Sequence, residues 1–69
     1  MDKNKYAAVI ARSIDMAALR LMEGRIALEE YELGNEALWQ VATDAGVADL
    51  VSDILAEAAM RDLEASSGV

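Results

Sequence analysis

Carboxylate side chains are the groups in this sequence whose type and spacing come nearest to a reactive site. Glu29 and Glu30 are adjacent, and Glu32 follows after Tyr31. Paired carboxylates can act as acid and base or hold a metal ion, but both roles normally draw on other residue types as well. The chain contains no His and no Cys, so the common acid–base, nucleophile, zinc and di-iron sets lack their central group. We therefore expect no enzymatic activity and no metal or other cofactor.

Composition indicates the fold class. The 69 residues include no Pro and no Phe, and they are rich in Ala, Leu and Glu, which favour helix. We expect a single all-α domain without a membrane-spanning segment and with a cytoplasmic location. So short a chain buries little surface, and without disulfides it is expected to associate with another chain.

A long helical hairpin is the expected architecture. Gly34 suits a left-handed helix cap, and Asn35 suits the N-cap of a following helix. Gly46 is a second weak point, where the second helix either bends or stops and restarts. The expected elements are a helix over about 3–33, a turn at 34–35, a helix or helix pair over about 36–65, and a frayed tail at 66–69.

Apolar positions on the first helix repeat in alternating steps of four and three residues, which is typical of a coiled-coil seam. A second apolar stripe lies beside them, so we expect two hairpins to pair as a homodimeric four-helix bundle. The acids at 29–32 would then oppose the dipole at the end of the first helix. An antiparallel partner would bring Lys3 and Lys5 close to them. The predicted dimer-interface residues are Ile10, Ile14, Ala17, Leu21, Gly24 and Leu28.

The net charge of −7 is concentrated in the second half of the chain. Residues 1–33 carry five basic and six acidic residues, whereas residues 34–69 carry one basic and seven acidic residues. An acidic half repels nucleic acid and anionic membranes and attracts basic protein surfaces. Its carboxylates are either a solvated outer face or a docking surface. The residues predicted to bind a protein partner are Glu29, Glu30, Tyr31, Glu32, Glu36, Trp39, Asp49, Asp53 and Glu57.

The segment VATDAGVADLVSDIL, residues 41–55, resembles the helix-turn-helix of bacterial repressors. In that interpretation Gly46 makes the turn and Val47 enters the core. The helix that would read DNA carries an acidic stripe where phosphate contacts need Lys or Arg. Charge therefore favours an ordinary glycine bend in a helix, and a DNA-binding regulator stays as an alternative.

In length, two-helix layout, acidic second half and the hinge YELGNEALWQ, the chain resembles small bacteriophage-encoded quorum-sensing anti-activators. The resemblance implies a homodimer that binds the DNA-binding domain of a LuxR-type activator in the host cytoplasm. It also implies a second target, the ATPase that drives type IV pilus assembly. We expect a protein–protein interaction inhibitor with no nucleic-acid or membrane partner. The alternatives are a helix-turn-helix regulator and an antitoxin-like acidic partner protein.

Overall fold

Three helices and no strand make up the described part of the chain. The computed structural model describes the backbone of residues 2–67 and the side chains of residues 2–65. Helix α1 spans Lys3–Met22, α2 spans Leu28–Asp44 and α3 spans Ala48–Ser67. The predicted all-α class is confirmed, with three helices where a two-helix hairpin or a hairpin with a broken second helix was expected.

Asp2 fixes the start of α1. Its carboxylate accepts hydrogen bonds from the backbone N–H of Asn4 at 3.0 Å and of Lys5 at 3.4 Å. These two donors lie in the first turn, where no carbonyl of the same helix can reach them. The cap therefore sets the register in which α1 presents its apolar residues.

Helix α1 ends at Met22 and does not continue to residue 33 as predicted. Gly24 adopts a left-handed φ of +72°. The backbone N–H of Arg25 then donates to the carbonyl of Arg20 at 2.8 Å, which is the Schellman arrangement of a helix end. Gly24 was predicted to lie on a helix–helix seam, and its actual role is to terminate the helix.

The predicted turn at 34–35 is wrong, because Gly34 and Asn35 both lie inside α2. A glycine within a helix costs about 1 kcal/mol relative to alanine, and packing can offset that amount. The packing is visible on both sides of the glycine, where Tyr31 and Leu38 are partly buried. The helix runs through Gly34 because its apolar face continues there.

The weak point predicted at Gly46 is a stop and restart of the helix, whereas the charge pattern favoured an ordinary glycine bend within one helix. Gly46 has φ +73°, and the N–H of Val47 donates to the carbonyl of Ala42 at 2.8 Å. Val47 and Ala42 are both buried, so an apolar contact accompanies this second Schellman turn. Helix α3 continues to Ser67, past its predicted end, and residues 68–69 of the predicted tail lie outside the described residues.

One small apolar core holds the three helices together, and α1 lies against both α2 and α3. Ile10 and Ile14 are 4% and 6% exposed within the single chain, so the predicted dimer seam is corrected at these positions. Ala17 and Leu21 are half-buried, and Leu28 is exposed at the start of α2. The buried residues are Ala7, Ile10, Ala11, Ile14, Ala42, Val47 and Val51.

Alanine substitutions at three glycines test the positions of the helix ends. A Cβ at Gly24, Gly34 or Gly46 would meet no atom within 4 Å, so backbone conformation alone decides the effect. Gly24→Ala and Gly46→Ala should each lower the free energy of unfolding by roughly 1–2 kcal/mol. Gly34→Ala should raise it by up to about 1 kcal/mol. Urea unfolding followed by circular dichroism measures all three, and a loss of stability in Gly34→Ala would argue for a turn there.

Replacing Ile14 by Asp tests the core. The substitution places an unpaired carboxylate among apolar side chains, which costs several kcal/mol and should leave the chain largely unfolded at 25 °C. Leu33→Asp is the matched control, because Leu33 is 69% exposed. Far-ultraviolet circular dichroism should show helix loss in Ile14→Asp and a nearly unchanged spectrum in Leu33→Asp. Equal spectra would contradict the assignment of Ile14 to the core.

Candidate protein-binding site

Acidic and basic residues are distributed unequally among the three helices. Helix α1 contains four basic residues and one acidic residue, a net of +3. Helix α2 contains five acidic residues and no basic residue, a net of −5. Helix α3 contains five acidic residues and Arg61, a net of −4. The acidic surfaces of the molecule therefore belong to α2 and α3, and the basic surface belongs to α1.

The outward side of α2 brings three of the predicted partner-binding carboxylates together. Glu29, Glu32, Leu33 and Glu36 line a shallow open depression of about 290 Å³. Leu33 is 69% exposed. An exposed leucine beside carboxylates suits the side chain of Lys or Arg, which pairs an aliphatic stem with a cationic head. We call this surface the α2 acidic face.

The acid pair Glu29 and Glu30 lies at the N-terminus of α2, not at the C-terminus of a preceding helix. This end of a helix carries a partial positive charge that favours acids. The Glu30 carboxylate also accepts a hydrogen bond from the N–H of Ala27 at 3.4 Å. The expected conflict with the helix dipole is thus absent, because the helix ends differ from those predicted. The position of these acids is therefore explained without ion pairs to Lys3 or Lys5 of a second chain.

The two aromatic residues predicted to bind a partner are partly buried. Trp39 packs against the core, and the Thr43 hydroxyl donates to its backbone carbonyl at 2.9 Å. Tyr31 is half-buried on α2. Trp39 therefore covers the core with part of its ring system, and the partner-binding surface consists mainly of the exposed carboxylates.

Helix α3 carries a second row of carboxylates, the α3 acidic stripe, formed by Asp49, Asp53 and Glu57. All three are exposed and follow one another at successive turns, about 6 Å apart. Glu57 lies 4.0 Å from Arg61 in an ion pair whose side chains are both more than 70% exposed. An exposed pair of this kind adds little stability. Arg61 offsets one of the three negative charges, and Asp49 and Asp53 keep the stripe acidic.

The helix–turn–helix formed by α2 and α3 has the two structural features expected from the repressor-like segment, a turn at the glycine and a buried valine after it. Gly46 makes the turn, and Val47 is 1% exposed in the core. The α3 acidic stripe nevertheless occupies the exposed side of the helix that would enter a DNA groove. Phosphates would be repelled from that side.

Sequence reasoning missed the surface of α1. Val9, Met16 and Leu19 are 65%, 42% and 50% exposed on this helix. The signal was present as a second apolar stripe beside the predicted seam, but the prediction assigned the dimer interface to the seam and not to this stripe. A cleft of about 440 Å³ also opens between the C-terminal halves of α1 and α3. It is lined by Arg12, Asp15, Met16, Ala18, Leu19, Met22 and Asp62.

Within the part of the chain that the structure describes, no three acidic side chains are grouped so that they could hold a metal ion. Among the described helices, none combines the length and the apolar character needed to span a bilayer.

Comparison with known proteins gives no match: no protein-family model, curated protein or solved structure resembles the chain significantly. Its function is therefore argued from the surfaces described above.

Neutralising acids in pairs tests whether the start of α2 depends on Glu29 and Glu30. Glu29→Gln with Glu30→Gln should lower the free energy of unfolding by about 0.5–1 kcal/mol, because the favourable interaction with the helix dipole is lost. Glu32→Gln with Glu36→Gln removes the same charge farther along α2 and should have little effect. Thermal unfolding at low and high salt measures both, and the difference should shrink in high salt. Identical unfolding of the two variants would contradict the position of Glu29 and Glu30 at the N-terminus of α2.

Proposed function

We propose that this protein is a protein–protein interaction inhibitor whose α2 acidic face and α3 acidic stripe bind a basic surface of another protein. The separation of charge carries the proposal. Helices α2 and α3 hold ten of the thirteen acidic residues and one of the six basic residues. Complementary potentials of this kind select partners and accelerate association.

A basic protein surface that normally holds DNA phosphates is the partner chemistry that fits best. The carboxylates of the α3 acidic stripe lie about 6 Å apart along one helix side and offer negative charge where phosphates would be. Binding would therefore compete with DNA for the same Lys and Arg side chains. Such competition makes the protein an inhibitor without any chemical step.

The DNA-binding domain of a host transcription activator is our proposed target. This target follows from the resemblance to phage anti-activators, which also implies a pilus assembly ATPase as a second target. The sequence supports a non-catalytic role, since it contains no His and no Cys. We propose that the protein acts in the cytoplasm, where such targets are found.

We also propose that the protein works as a homodimer. The four-helix bundle expected from two hairpins would become a six-helix assembly, because each chain has three helices. The small core supports association: only seven of the described residues are buried in the single chain. A chain of this size gains stability when a second chain covers part of its exposed apolar surface.

DNA binding is the second candidate function, and the left-handed turn at Gly46 with buried Val47 is the observation that favours it. The acidic side of α3 opposes it. A gel-shift measurement at low salt separates the two functions. Duplex DNA bound directly, with an affinity that falls steeply as salt increases, would support the second candidate.

The inhibitor proposal predicts that neutralising the α3 acidic stripe weakens partner binding. Wild-type protein immobilised on a support should capture basic host proteins, identified by mass spectrometry, and a purified captured protein should lose its DNA when the inhibitor is added. The variant Asp49→Asn, Asp53→Asn, Glu57→Gln should bind that protein at least about tenfold more weakly while retaining its helix content.

The matched control is Asp15→Asn, Asp44→Asn, Asp62→Asn, which changes the net charge equally outside both acidic surfaces. Fluorescence anisotropy of labelled operator DNA, displaced from the purified target, gives the affinities. Equal weakening in the two variants would mean that net charge alone drives binding. Unchanged binding in the stripe variant would show that the stripe is a solvated face, and capture of no basic protein would contradict the proposed function.

A further inference from the structure

We infer that the outward side of α1 is the interface of an antiparallel homodimer, in which Lys5 of each copy meets Glu23 of the other. This inference rests on the homodimer proposed above and names the surface that forms it. The surface consists of six residues, which we call the α1 outer stripe: Lys5, Val9, Arg12, Met16, Leu19 and Glu23.

The single chain exposes more surface than a stable monomer of its size. Its accessible area is 5256 Å², whereas a folded monomer of 7.4 kDa is expected to expose about 4,200 Å². Its radius of gyration of 13.1 Å also exceeds the value of about 11 Å expected for 69 residues. A stable protein interface covers about 800 Å² on each partner, which is close to the excess area.

The α1 outer stripe has the spacing of a helix–helix seam. Successive members are separated by four, three, four, three and four residues. This average of about 3.5 residues is the repeat with which one helix packs along another. All six side chains are exposed in the single chain, on the side of α1 away from Ile10 and Ile14. The stripe is therefore a second seam that lies largely open, with Asp62 of α3 beside it. Glu23 pairs with Arg25 at 3.9 Å in an exposed ion pair, which solvent weakens.

The order of the residues makes the stripe complementary to itself when one copy is turned around. Lys5 and Glu23, Val9 and Leu19, and Arg12 and Met16 are three pairs, and residue 14 is the midpoint of each. An antiparallel copy centred there therefore places opposite charges together at both ends. It also places apolar side chains together between them, with the aliphatic stem of each arginine against a methionine.

Other occupants fit this surface less well. A parallel second copy would place Lys5 against Lys5 and Glu23 against Glu23, and like charges disfavour that orientation. An acidic partner or an anionic membrane would attract Lys5 and Arg12 but would be repelled by Glu23. The reversed copy satisfies both ends at once, and it leaves the α2 acidic face and the α3 acidic stripe free for a foreign partner.

Disulfide trapping tests the register. The chain has no cysteine of its own, so each introduced thiol is unique. When Val9→Cys and Leu19→Cys chains are mixed and oxidised, a disulfide should join the two different chains. Two Val9→Cys chains should not cross-link, because their cysteines would lie ten residues, or about 15 Å, apart along the helices. A disulfide needs Cα atoms within about 7 Å. Equal cross-linking in each single variant and in the mixture, or none in any sample, would overturn the interface.

Charge exchange gives an independent readout that does not depend on thiols. Sedimentation velocity should show wild-type dimers and about a tenfold larger dissociation constant for Lys5→Glu, since the change replaces attraction by repulsion at both ends of the interface. The double variant Lys5→Glu with Glu23→Lys should restore dimerisation, because it exchanges the two ends. Lys3→Glu is the control with the same charge change outside the stripe and should leave the dissociation constant unchanged.

The outcomes distinguish this interface from the homodimer itself. A wild-type dimer that neither Lys5→Glu nor the cysteine pair affects would overturn the α1 interface while the homodimer stands. A wild-type chain that sediments as a monomer at all concentrations would overturn both. Binding of a basic partner is measured separately and would be unaffected by either result.

Discussion

Helix termination by Gly24 and Gly46 is the constraint on which the remaining structure depends. Each glycine takes a left-handed φ and closes its helix with a Schellman turn. The first turn lets α2 lie against α1, and the second lets α3 do the same. Without them α1 would have no cover for Ile10 and Ile14, and the small core would not form. The same turns decide which side of each helix remains on the surface.

Local sequence chemistry identified the helical class and the break at Gly46, but it chose the wrong glycine for the first break. Gly34 is followed at once by Asn35, a stronger N-cap than Ala27, which precedes α2. Packing overrides that preference, because the partly buried Tyr31 and Leu38 share one side of α2 only if the helix continues through Gly34. Because the first break lies at Gly24 and not at Gly34, Glu29 and Glu30 lie at the N-terminus of a helix and not at a C-terminus. Acids are favoured at the N-terminus and disfavoured at the C-terminus.

The candidate binding surfaces were predictable in part. Exposed positions for the carboxylates follow from their charge. Helix α2 brings Glu29, Glu32 and Glu36 to one side, beside Leu33, as their helical spacing requires. The apolar seams were not predictable in the same way. A repeat of four and three residues shows that a helix side is covered, but it does not show whether the cover comes from the same chain or another one. Helix α1 has two such repeats, and the structure assigns one of them to its own core.

The far end of α3 has a consequence for how the molecule comes apart. Every side chain from Ala59 to Ala65 is exposed, so this stretch of the helix has little tertiary cover. Helical segments of this length are marginal without packing. Backbone hydrogen bonds there should open far more often than those around Val51, and amide exchange and protease cleavage would begin at this end. Local opening of the protein is therefore expected to begin in this least covered segment, well away from its core.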